Sequence, residues 1–295
     1  MGGGVWTTAS YATHVTASTA GMSGVTLTAR GDLSLDSSVS AQSFYRSRSI
    51  APELDPKNIT RECCNTEEHP NTIPVILALD VTGSMGGASL RVAEQLNPIM
   101  TELYKNVTDV EFCIMGIGDL AYDRAPIQMS QFESDVRIAE QLDKIYFEGG
   151  GGGNSYESYT AAWYMGLRHT KLDCWDQGRR GIIITLGDEP LNPYLPKAEL
   201  SRVTGDSLQD DISTKDLYNE VKSKYDVYHL AVDDDESSYS YHREDIHNTW
   251  EPLLGDHFRV TKLNSLASDI TKIIVDSSNQ EHSVTLTDTE GNITW

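Results

Sequence analysis

The sequence lacks the marks of a membrane or secreted protein. None of its 295 residues belongs to an apolar run near the roughly 20 residues that a membrane-spanning helix needs. The opening residues, MGGGVWTTAS, do not join a basic region to an apolar run, so they do not resemble a secretory signal. These absences predict a cytoplasmic protein without a membrane partner.

Cysteine is scarce and irregularly spaced. Cys63 and Cys64 are adjacent, Cys113 lies in an apolar run, and Cys174 lies in a polar segment. This spacing is neither a disulfide framework nor the C-x-x-C pattern of a metal site. We therefore interpret the four residues as free thiols.

Basic residues are also few. The chain has 23 Lys and Arg against 44 Asp and Glu, which gives a formal net charge of −21. Such a chain repels phosphate backbones and anionic lipid surfaces, so neither nucleic acid nor a membrane is an expected partner. The charge favours instead a bound cation or a partner with a basic surface.

One stretch, residues 71–87, organises the rest of the sequence. Its apolar run Ile73–Leu79 has the length and composition of a strand that is buried on both faces. The strand ends at Asp80, and Thr82 and Ser84 follow in a turn of small residues before a helical pattern begins. In open α/β sheets, ligands bind at this end of the strands.

The turn lacks the parts of two common phosphate-handling sites. It has no lysine, so it is not a phosphate-binding loop of the G-x-x-x-x-G-K-[ST] kind. It has no second Asp two residues after Asp80, so an aspartate pair for phosphoryl transfer is not expected. Oxygen ligands alone favour Mg²⁺, Mn²⁺ or Ca²⁺ over Zn²⁺. The alternative is that Thr82 and Ser84 only cap the following helix.

Strand-like and helix-like segments alternate from residue 73 to residue 275. Further buried strands are predicted at residues 109–118, 181–187 and 225–232. This alternation predicts an α/β fold with a doubly wound, mostly parallel central sheet flanked by helices. Because crossovers between parallel strands are right-handed, the acidic residues that follow the strands should lie at one edge of the sheet. These residues are Asp80, Asp119, Asp188 and Asp233.

The flanks of this 71–276 domain differ from it in composition. Residues 1–50 are rich in Ser, Thr, Ala and Gly, which predicts an extended N-terminal arm with little core of its own. Residues 51–70 contain three prolines and are interpreted as a linker. The tail, residues 277–295, alternates polar and apolar residues around Glu290-Gly291, which is typical of a hairpin or an added strand.

The segment Asp80-Val81-Thr82-Gly83-Ser84-Met85 resembles the D-x-[ST]-G-S opening of a von Willebrand factor A-type domain. The resemblance covers residues 71–276 and implies a Rossmann-like fold. In that family the motif begins a metal-ion-dependent adhesion site, which two later loops complete. It therefore implies that Asp80, Thr82 and Ser84 bind a metal ion.

The second loop of that family has a glycine-rich variant that resembles this chain. Five glycines, Gly149–Gly153, precede Asn154, as in the form G-G-G-[DN]-x-x-E. Glycines let the backbone approach a ligand closely. The resemblance makes Asn154 the expected ligand of this loop, with Ser155 and Glu157 as substitutes. The alternative for Glu157 is a solvated residue in the first turn of a helix.

The third loop follows a variant of the same family. Gly187-Asp188-Glu189-Pro190 resembles its G-D-x-P form, whereas Leu186 stands where much of the family has a metal-binding Asp. Asp188 is therefore the expected third ligand, and the alternative is a loop acid that caps the next helix. Glu189 and Asp119 are candidates for an additional ligand or for the rim of the site.

The resemblance implies a binding protein rather than an enzyme. In the family one coordination position of the metal stays open, and an Asp or Glu of a partner protein fills it. Mg²⁺ is the expected ion, with Mn²⁺ or Ca²⁺ as alternatives. Two other functions stay open: a metal-assisted hydrolase with Glu157 or Glu189 as its general base, and an assembly protein whose arm and tail join copies of the chain.

Three other patterns have plainer interpretations. Gly205-Asp206-Ser207-Leu208 spells the nucleophile block of one esterase family, but its position in a polar mid-chain segment favours chance. His242 and His247 do not have the H-E-x-x-H spacing and are interpreted as part of a polar loop. Asp233–Glu236 is interpreted as an exposed acidic loop, with a second cation as the alternative.

Overall fold

The structure, a computed structural model, describes residues 4–290 except residues 68, 108, 151–153, 155 and 236. The strands are β1 (Val25–Leu27), β2 (Leu33–Leu35), β3 (Arg61–Cys63), β4 (Ile73–Asp80), β5 (Val110–Ile117), β6 (Ile127–Met129), β7 (Thr170–Leu172), β8 (Gly181–Gly187), β9 (Tyr194–Leu195), β10 (Ile212–Ser213), β11 (Tyr225–Val232) and β12 (Phe258–Thr261). The helices are α1 (Thr8–Ser18), α2 (Ala41–Phe44), α3 (Gly86–Asn106), α4 (Arg137–Leu142), α5 (Ala161–Arg168), α6 (Lys197–Thr204), α7 (Thr214–Val221), α8 (Tyr239–Leu254) and α9 (Leu266–Glu290).

The central sheet contains six strands in the spatial order β12-β11-β8-β4-β5-β6. Neighbouring strands are parallel except for β6, which runs antiparallel to β5 at one edge. Every residue of β4, β5, β8 and β11 is buried. This burial explains their nearly continuous apolar sequences, because helices cover both faces of a parallel sheet. The mostly parallel α/β sheet predicted from the sequence is confirmed.

Strand β4 shows how the two faces are covered. Val75, Leu77 and Leu79 belong to one hydrophobic cluster, together with residues of α3 and α9. Ile76 and Ala78 belong to a second cluster, which contains residues of α5, α7 and α8. Successive side chains of a strand point to opposite faces, so the sheet has a layer of helices on each side.

The chain order of the strands locates the place where a ligand would bind. If the six sheet strands are numbered along the chain, their spatial order is 3-2-1-4-5-6. The chain therefore builds outwards from β4 to one edge and then returns to begin β8 on the other side of β4. In such sheets, ligands bind beside the carboxyl ends of the two strands at which the order reverses, here β4 and β8.

The N-terminal segment differs from the expected extended arm. It forms α1, the antiparallel β1–β2 hairpin and α2, and it packs against α3. The indole of buried Trp6 donates a hydrogen bond to Asn97 Oδ1 at 2.9 Å, and the hydroxyl of buried Tyr45 donates to the Ser89 carbonyl at 2.9 Å. A few aromatic residues bury enough surface to attach this polar segment to the domain. The prediction of an arm with little core is wrong for residues 4–50.

The segment interpreted as a linker also packs against the domain. Strand β3 pairs in parallel with β7, and Leu54 is fully buried. The Arg61 guanidinium donates a hydrogen bond to the Met129 carbonyl at 2.7 Å, which ties this segment to β6 at the edge of the central sheet. Residues 51–70 therefore run irregularly along the domain surface and do not form a spacer between two units.

Two elements near the C-terminus also differ from expectation. The interpretation of residues 242–247 as a polar loop is wrong, because they lie in α8. Most residues of this helix are polar, but Ile246 and Trp250 are buried. The tail continues α9 as far as Glu290 and forms no hairpin or added strand there, while residues 291–295 lie outside the described residues. The buried residues Ile270, Ile273 and Ile274 of α9 recur at helical spacing. This spacing is typical of a helix that packs one apolar face against the domain.

Two simpler predictions can be compared directly with the structure. The four cysteines are free thiols, as expected from their spacing. Within the described part of the chain, no helix combines the length and the apolar character that crossing a membrane requires.

Candidate functional site

Asp80 ends β4 and is completely buried. Its Oδ1 accepts hydrogen bonds from the backbone N–H of Thr82 at 2.8 Å and from the Thr82 hydroxyl at 2.5 Å. Its Oδ2 accepts a hydrogen bond from the Tyr159 hydroxyl at 2.7 Å. Three donors thus fix the orientation of this carboxylate at the carboxyl end of the sheet.

The turn after β4 does not use its hydroxyl groups as helix caps. Thr82 precedes the short 3₁₀ helix Gly83–Met85, and its side chain makes no capping hydrogen bond. Met85 occupies the N-cap position of α3, which likewise has no side-chain cap. The alternative that Thr82 and Ser84 only cap a helix is therefore wrong. Ser84 remains partly exposed at the surface of the turn.

Tyr159 joins the ends of the two central strands. Besides donating to Asp80, its hydroxyl accepts hydrogen bonds from the backbone N–H groups of Asp188 at 3.2 Å and Glu189 at 3.3 Å. Gly187 makes room for the ring, because a Cβ at that position would lie 2.3 Å from Tyr159 atoms. The sequence pattern does not indicate this role, since the spacing of Tyr159 is that of an ordinary aromatic residue in a helix core. The glycine before Asp188 was the available signal.

Asp188 lies beside Asp80, at the end of β8, and is completely buried. Its Oδ2 accepts a hydrogen bond from the backbone N–H of Ser238 at 2.5 Å, at the start of α8. Its Oδ1 is buried and has no hydrogen-bond partner in the described structure. Ser84, in the turn after β4, lies near this carboxylate. The turn after β4 and the turn after β8 therefore meet, as the parallel topology predicts.

The electrostatics of this pair are unfavourable in the absence of a cation. Burial, and then repulsion from Asp188, raise the pKa of Asp80 to about 8. Burial also raises the pKa of Asp188. Two carboxylates at one buried site cannot both ionise easily, and a bound cation reverses this by stabilising the charged forms.

The second loop contributes Glu157 and not Asn154 to the buried site. Asn154 is exposed, and Ser155 lies outside the described residues. Glu157 precedes α5, forms an isolated bridge to Leu191, and is only 6% exposed, so it is not a solvated helix residue. Burial, and then repulsion from Asp80, raise its pKa to about 11.

The glycines on both loops permit a close approach of two backbones. Gly83 donates a backbone hydrogen bond to Gly150 at 2.9 Å, and Gly149 donates to Val81 at 3.4 Å. A Cβ at Gly83 would lie 3.2 Å from the Gly149 carbonyl oxygen, and Gly149 itself has a φ of +66°. The glycine-rich loop therefore lies against the turn after β4, although residues 151–153 are outside the described residues.

Asp119 and Glu189, the candidates for an additional ligand or for the rim of the site, both lie at the carboxyl edge of the central sheet. Asp119 follows β5 and is 3% exposed, and its Oδ2 has no partner. The Glu189 carboxylate lies 3.6 Å from His242, and its Oε2 has no hydrogen-bond partner. Burial, and then Asp188, raise the pKa of Glu189 to about 7.

Asp233, the acid after β11, differs from the other acids at this edge. It lies 2.8 Å from the Lys262 ammonium and 3.9 Å from the Arg243 guanidinium. Its charge is thus compensated by side chains of the protein, which agrees with a loop acid and gives no support for a second cation there. This contrast makes Asp233 a useful control for Asp80 and Asp188.

The donor set at the site fits a hard cation. Across the described residues, no Lys, Arg or His forms an ion pair with Asp80, Asp119, Glu157 or Asp188. The same part of the chain has no group of three or more His, Cys, Asp or Glu residues arranged to hold a metal ion. Two carboxylates with a hydroxyl suit Mg²⁺, which binds through one or two carboxylates and keeps several waters. The unpartnered, buried Oδ1 of Asp188 is the atom that such an ion would satisfy.

Comparisons with known proteins gave only distant structural similarity. No family model matches the chain, and no curated protein matches it. Two crystal structures of the pilus adhesin SpaC from Lactobacillus rhamnosus GG, one in an open conformation, are similar at TM-scores of 0.44 and 0.43 and 14% sequence identity. The match covers 74% of this chain but only 32% and 31% of the adhesin chains, so the chain spans about a third of their length.

Proposed function

We propose that this protein binds one divalent cation, Mg²⁺ in the first place, between the ends of β4 and β8, and uses it to capture a carboxylate of a partner protein. The unpartnered buried oxygen of Asp188, beside the second carboxylate of Asp80, carries this proposal. Buried polar atoms in native proteins are almost always paired, so an orphan carboxylate oxygen indicates a missing partner.

The residues of the chain have distinct roles in this proposal. Asp80, Ser84 and Asp188 would hold the ion. Thr82 and Tyr159 position the Asp80 carboxylate through hydrogen bonds at 2.5 and 2.7 Å. When bound, the ion would supply a positive charge that attracts a further carboxylate. The resemblance of the Asp80–Met85 segment to an A-type domain supports the same assignment and implies that an Asp or Glu of another protein takes an open position.

The surface near the site offers contacts for such a partner. Tyr156, next to Glu157, is 38% exposed, and Asn154 is exposed in the same loop. Tyr122, on the loop after β5, is 58% exposed. Exposed tyrosines supply large contact areas with little loss of conformational entropy, which is typical of binding surfaces. Asn154 is therefore assigned to partner contact in this proposal and not to the ion.

The two alternative functions gain less from the structure. A hydrolase would need a general base that reaches a substrate, but Glu157 is nearly inaccessible and Glu189 is mostly covered. An assembly protein would need an N-terminal arm that is free to contact another copy of the chain, but this segment packs on α3.

Calorimetric titration with Mg²⁺ and Mn²⁺ tests the proposal. We expect the wild-type protein to bind the ion and Asp188→Asn to lose affinity by a factor on the order of 100, because a charged ligand is removed. Asp233→Asn is the matched control, since this acid lies at the same edge but is paired with Lys262. If the wild-type protein binds neither ion, the proposal is wrong.

The partner is tested separately by affinity purification from the native host. Proteins retained in Mg²⁺ buffer and released by a chelator are candidate partners, and Asp188→Asn should not retain them. Retention that is unaffected by both the chelator and the substitution would contradict carboxylate capture through an ion.

A further inference from the structure

A stretch of the N-terminal segment gives this acidic protein a local positive surface. Residues 37–52 contain no Asp or Glu, although the whole chain has 44 of them. The stretch includes Arg46 and Arg48, and both side chains are exposed. Neither arginine forms an ion pair with any other described residue. These two residues, the arginine surface, therefore carry positive charge that the described part of the protein leaves uncompensated.

Helix α2 holds this stretch beside the proposed ion site. A Cβ at Gly86, at the start of α3, would lie 3.5 Å from the Ala41 Cβ. A Cβ at Gly149, in the glycine-rich loop, would lie 2.5 Å from Gln42 Nε2. That loop in turn lies against the turn after β4, to which it is hydrogen-bonded. Helix α2 therefore packs on two of the segments that border the site.

The residues after α2 continue along the segment that leads into the glycine-rich loop. The Tyr45 ring stacks on Phe147, with centroids 6.1 Å apart and planes inclined by 11°. The Ser47 hydroxyl donates a hydrogen bond to the Lys144 carbonyl at 2.9 Å. Tyr45 and Ser47 thus contact the domain, and the two arginines that alternate with them face solvent.

The loop after β5 offers no comparable positive surface. Arg124 in that loop is exposed, but it directly follows Asp123. The next residue, Ala125, donates its N–H to Glu148 Oε1 at 2.6 Å. Two neighbouring carboxylates therefore offset the charge of Arg124, and the positive side of the site is the one that the N-terminal segment forms.

We infer that Arg46 and Arg48 bind further acidic side chains of the protein whose carboxylate the ion captures. This inference rests on the proposed function and adds the chemistry of the partner, an acidic segment that extends from the ion over the glycine-rich loop. An extended chain advances roughly 3.3 Å per residue, so about six residues would span the path past Gly149 and α2. Arginine binds carboxylates through paired hydrogen bonds. The net charge of −21 disfavours a nucleic acid at the same surface.

Fluorescence anisotropy with two labelled peptides tests the inference. Both peptides have a central Asp, which the acidic peptide flanks with Glu and the neutral peptide flanks with Gln. In Mn²⁺, we expect the wild-type protein to bind the acidic peptide more tightly by a factor on the order of 10, as for a few exposed ion pairs. The double substitution Arg46→Gln and Arg48→Gln should remove this preference. Its Mn²⁺ affinity, measured by calorimetry, should equal that of the wild-type protein.

Arg30→Gln is the matched control. Arg30 is also an exposed arginine of the N-terminal segment, but it lies in the turn between β1 and β2. This variant should keep the preference for the acidic peptide. A salt titration of the wild-type protein makes the test independent of the variants. Because salt screens exposed charges, the preference should shrink as NaCl rises from about 50 to about 300 mM.

The outcomes separate this inference from the proposed function. Equal binding of the two peptides, or a preference that the double variant keeps, would overturn the inference and leave the ion site intact. Binding of the acidic peptide that is as tight in chelator as in Mn²⁺ and still needs both arginines would support the arginine surface and overturn capture through an ion. If an oligothymidylate of equal charge displaces the label as well as unlabelled acidic peptide does, the surface binds anions in general, and the assignment of an acidic partner is wrong.

Discussion

Two groups of polar side chains in this protein differ in how completely they are paired. The closed cluster consists of Tyr164, His169 and Asp206. Asp206 Oδ2 accepts hydrogen bonds from the Tyr164 hydroxyl at 2.5 Å and from His169 Nε2 at 2.7 Å. His169 Nδ1 donates to the Ile59 carbonyl at 2.9 Å. Each polar side chain of this cluster therefore has a hydrogen-bond partner within the protein.

The open cluster consists of Asp80, Asp119, Glu157 and Asp188. Three of these acids have a buried oxygen without a partner, and none has a basic partner among the described residues. The pKa shifts reflect the difference. Burial alone would raise the pKa of Asp206, but the hydrogen bonds from Tyr164 and His169 lower it below its usual value. The closed cluster is thus paired within the protein, whereas the open cluster leaves buried oxygens unpaired, as expected of a site that a ligand completes.

Gly187→Ala should have the largest effect on stability and ion binding, because it displaces Tyr159, whose hydroxyl donates a hydrogen bond to Asp80. A Cβ at residue 187 would lie 2.3 Å from the Tyr159 ring and hydroxyl, so the tyrosine must move. Overpacking of this kind costs about 3 kcal/mol at the upper end of its usual range. We expect this loss in the free energy of unfolding, measured by urea denaturation, together with loss of Mn²⁺ binding.

Gly150→Ala is the control for this substitution. A Cβ there meets nothing within 4 Å, so stability and ion binding should both be retained. If Gly187→Ala still binds Mn²⁺ with wild-type affinity, Tyr159 does not position Asp80.

The same chemical change should have opposite effects in the two clusters. Asp206→Asn weakens the carboxylate acceptor that the buried Tyr164 and His169 share, and the free energy of unfolding should fall by about 1–3 kcal/mol. Asp188→Asn, measured in chelator, removes one of two repelling carboxylates and should leave stability unchanged or higher. Urea denaturation of both variants under identical metal-free conditions measures the difference. Equal destabilisation by both would show that the open cluster is an ordinary structural network.

The sheet, and the edge of the sheet at which Asp80 and Asp188 meet, could be predicted from the sequence. The buried strands are apolar runs that end in an acid, and parallel topology brings those acids to one edge whatever the details of packing. Asp80, Ser84 and Asp188 meet for this reason. The sequence could not show that Glu157, and not Asn154, is the buried residue of the second loop. Both lie in the same loop, and the course of the loop backbone decides which side chain is buried.

Packing that depends on scattered residues could not be predicted. The N-terminal segment is attached by Trp6, Tyr11 and Tyr45, which follow no helical or strand period in a polar sequence. The role of Tyr159 depends on space left by Gly187, 28 positions later. Both are tertiary effects between distant residues, and local pattern carries no information about them.

The two clusters should also differ in the dependence of their stability on pH, with the smallest change for each pH unit. In the open cluster the pKa of Asp80 is raised to about 8 and that of Glu157 to about 11, in each case first by burial. The folded state therefore holds protons that the unfolded state releases, so stability is full near pH 4 and falls as the pH rises towards 8. We expect a slope on the order of 1 kcal/mol per pH unit in chelator. The closed cluster shows the reverse, since the lowered pKa of Asp206 makes its contribution disappear only in acid.

Saturating Mg²⁺ separates this slope from other titrations. His14, paired with Asp143 at 2.9 Å, has a raised pKa because of that hydrogen bond, and it also loses its contribution as the pH rises. Neither His14 nor Asp143 is a proposed ligand, so Mg²⁺ should not alter the contribution of this pair to the slope. A bound cation keeps the open-cluster carboxylates ionised, and their part of the slope should disappear. Urea denaturation between pH 5 and pH 8, with Mg²⁺ and with chelator, measures both parts. If the free energy of unfolding falls with pH at the same rate in Mg²⁺ and in chelator, the raised pKa values at the ends of β4 and β8 are not coupled to ion binding.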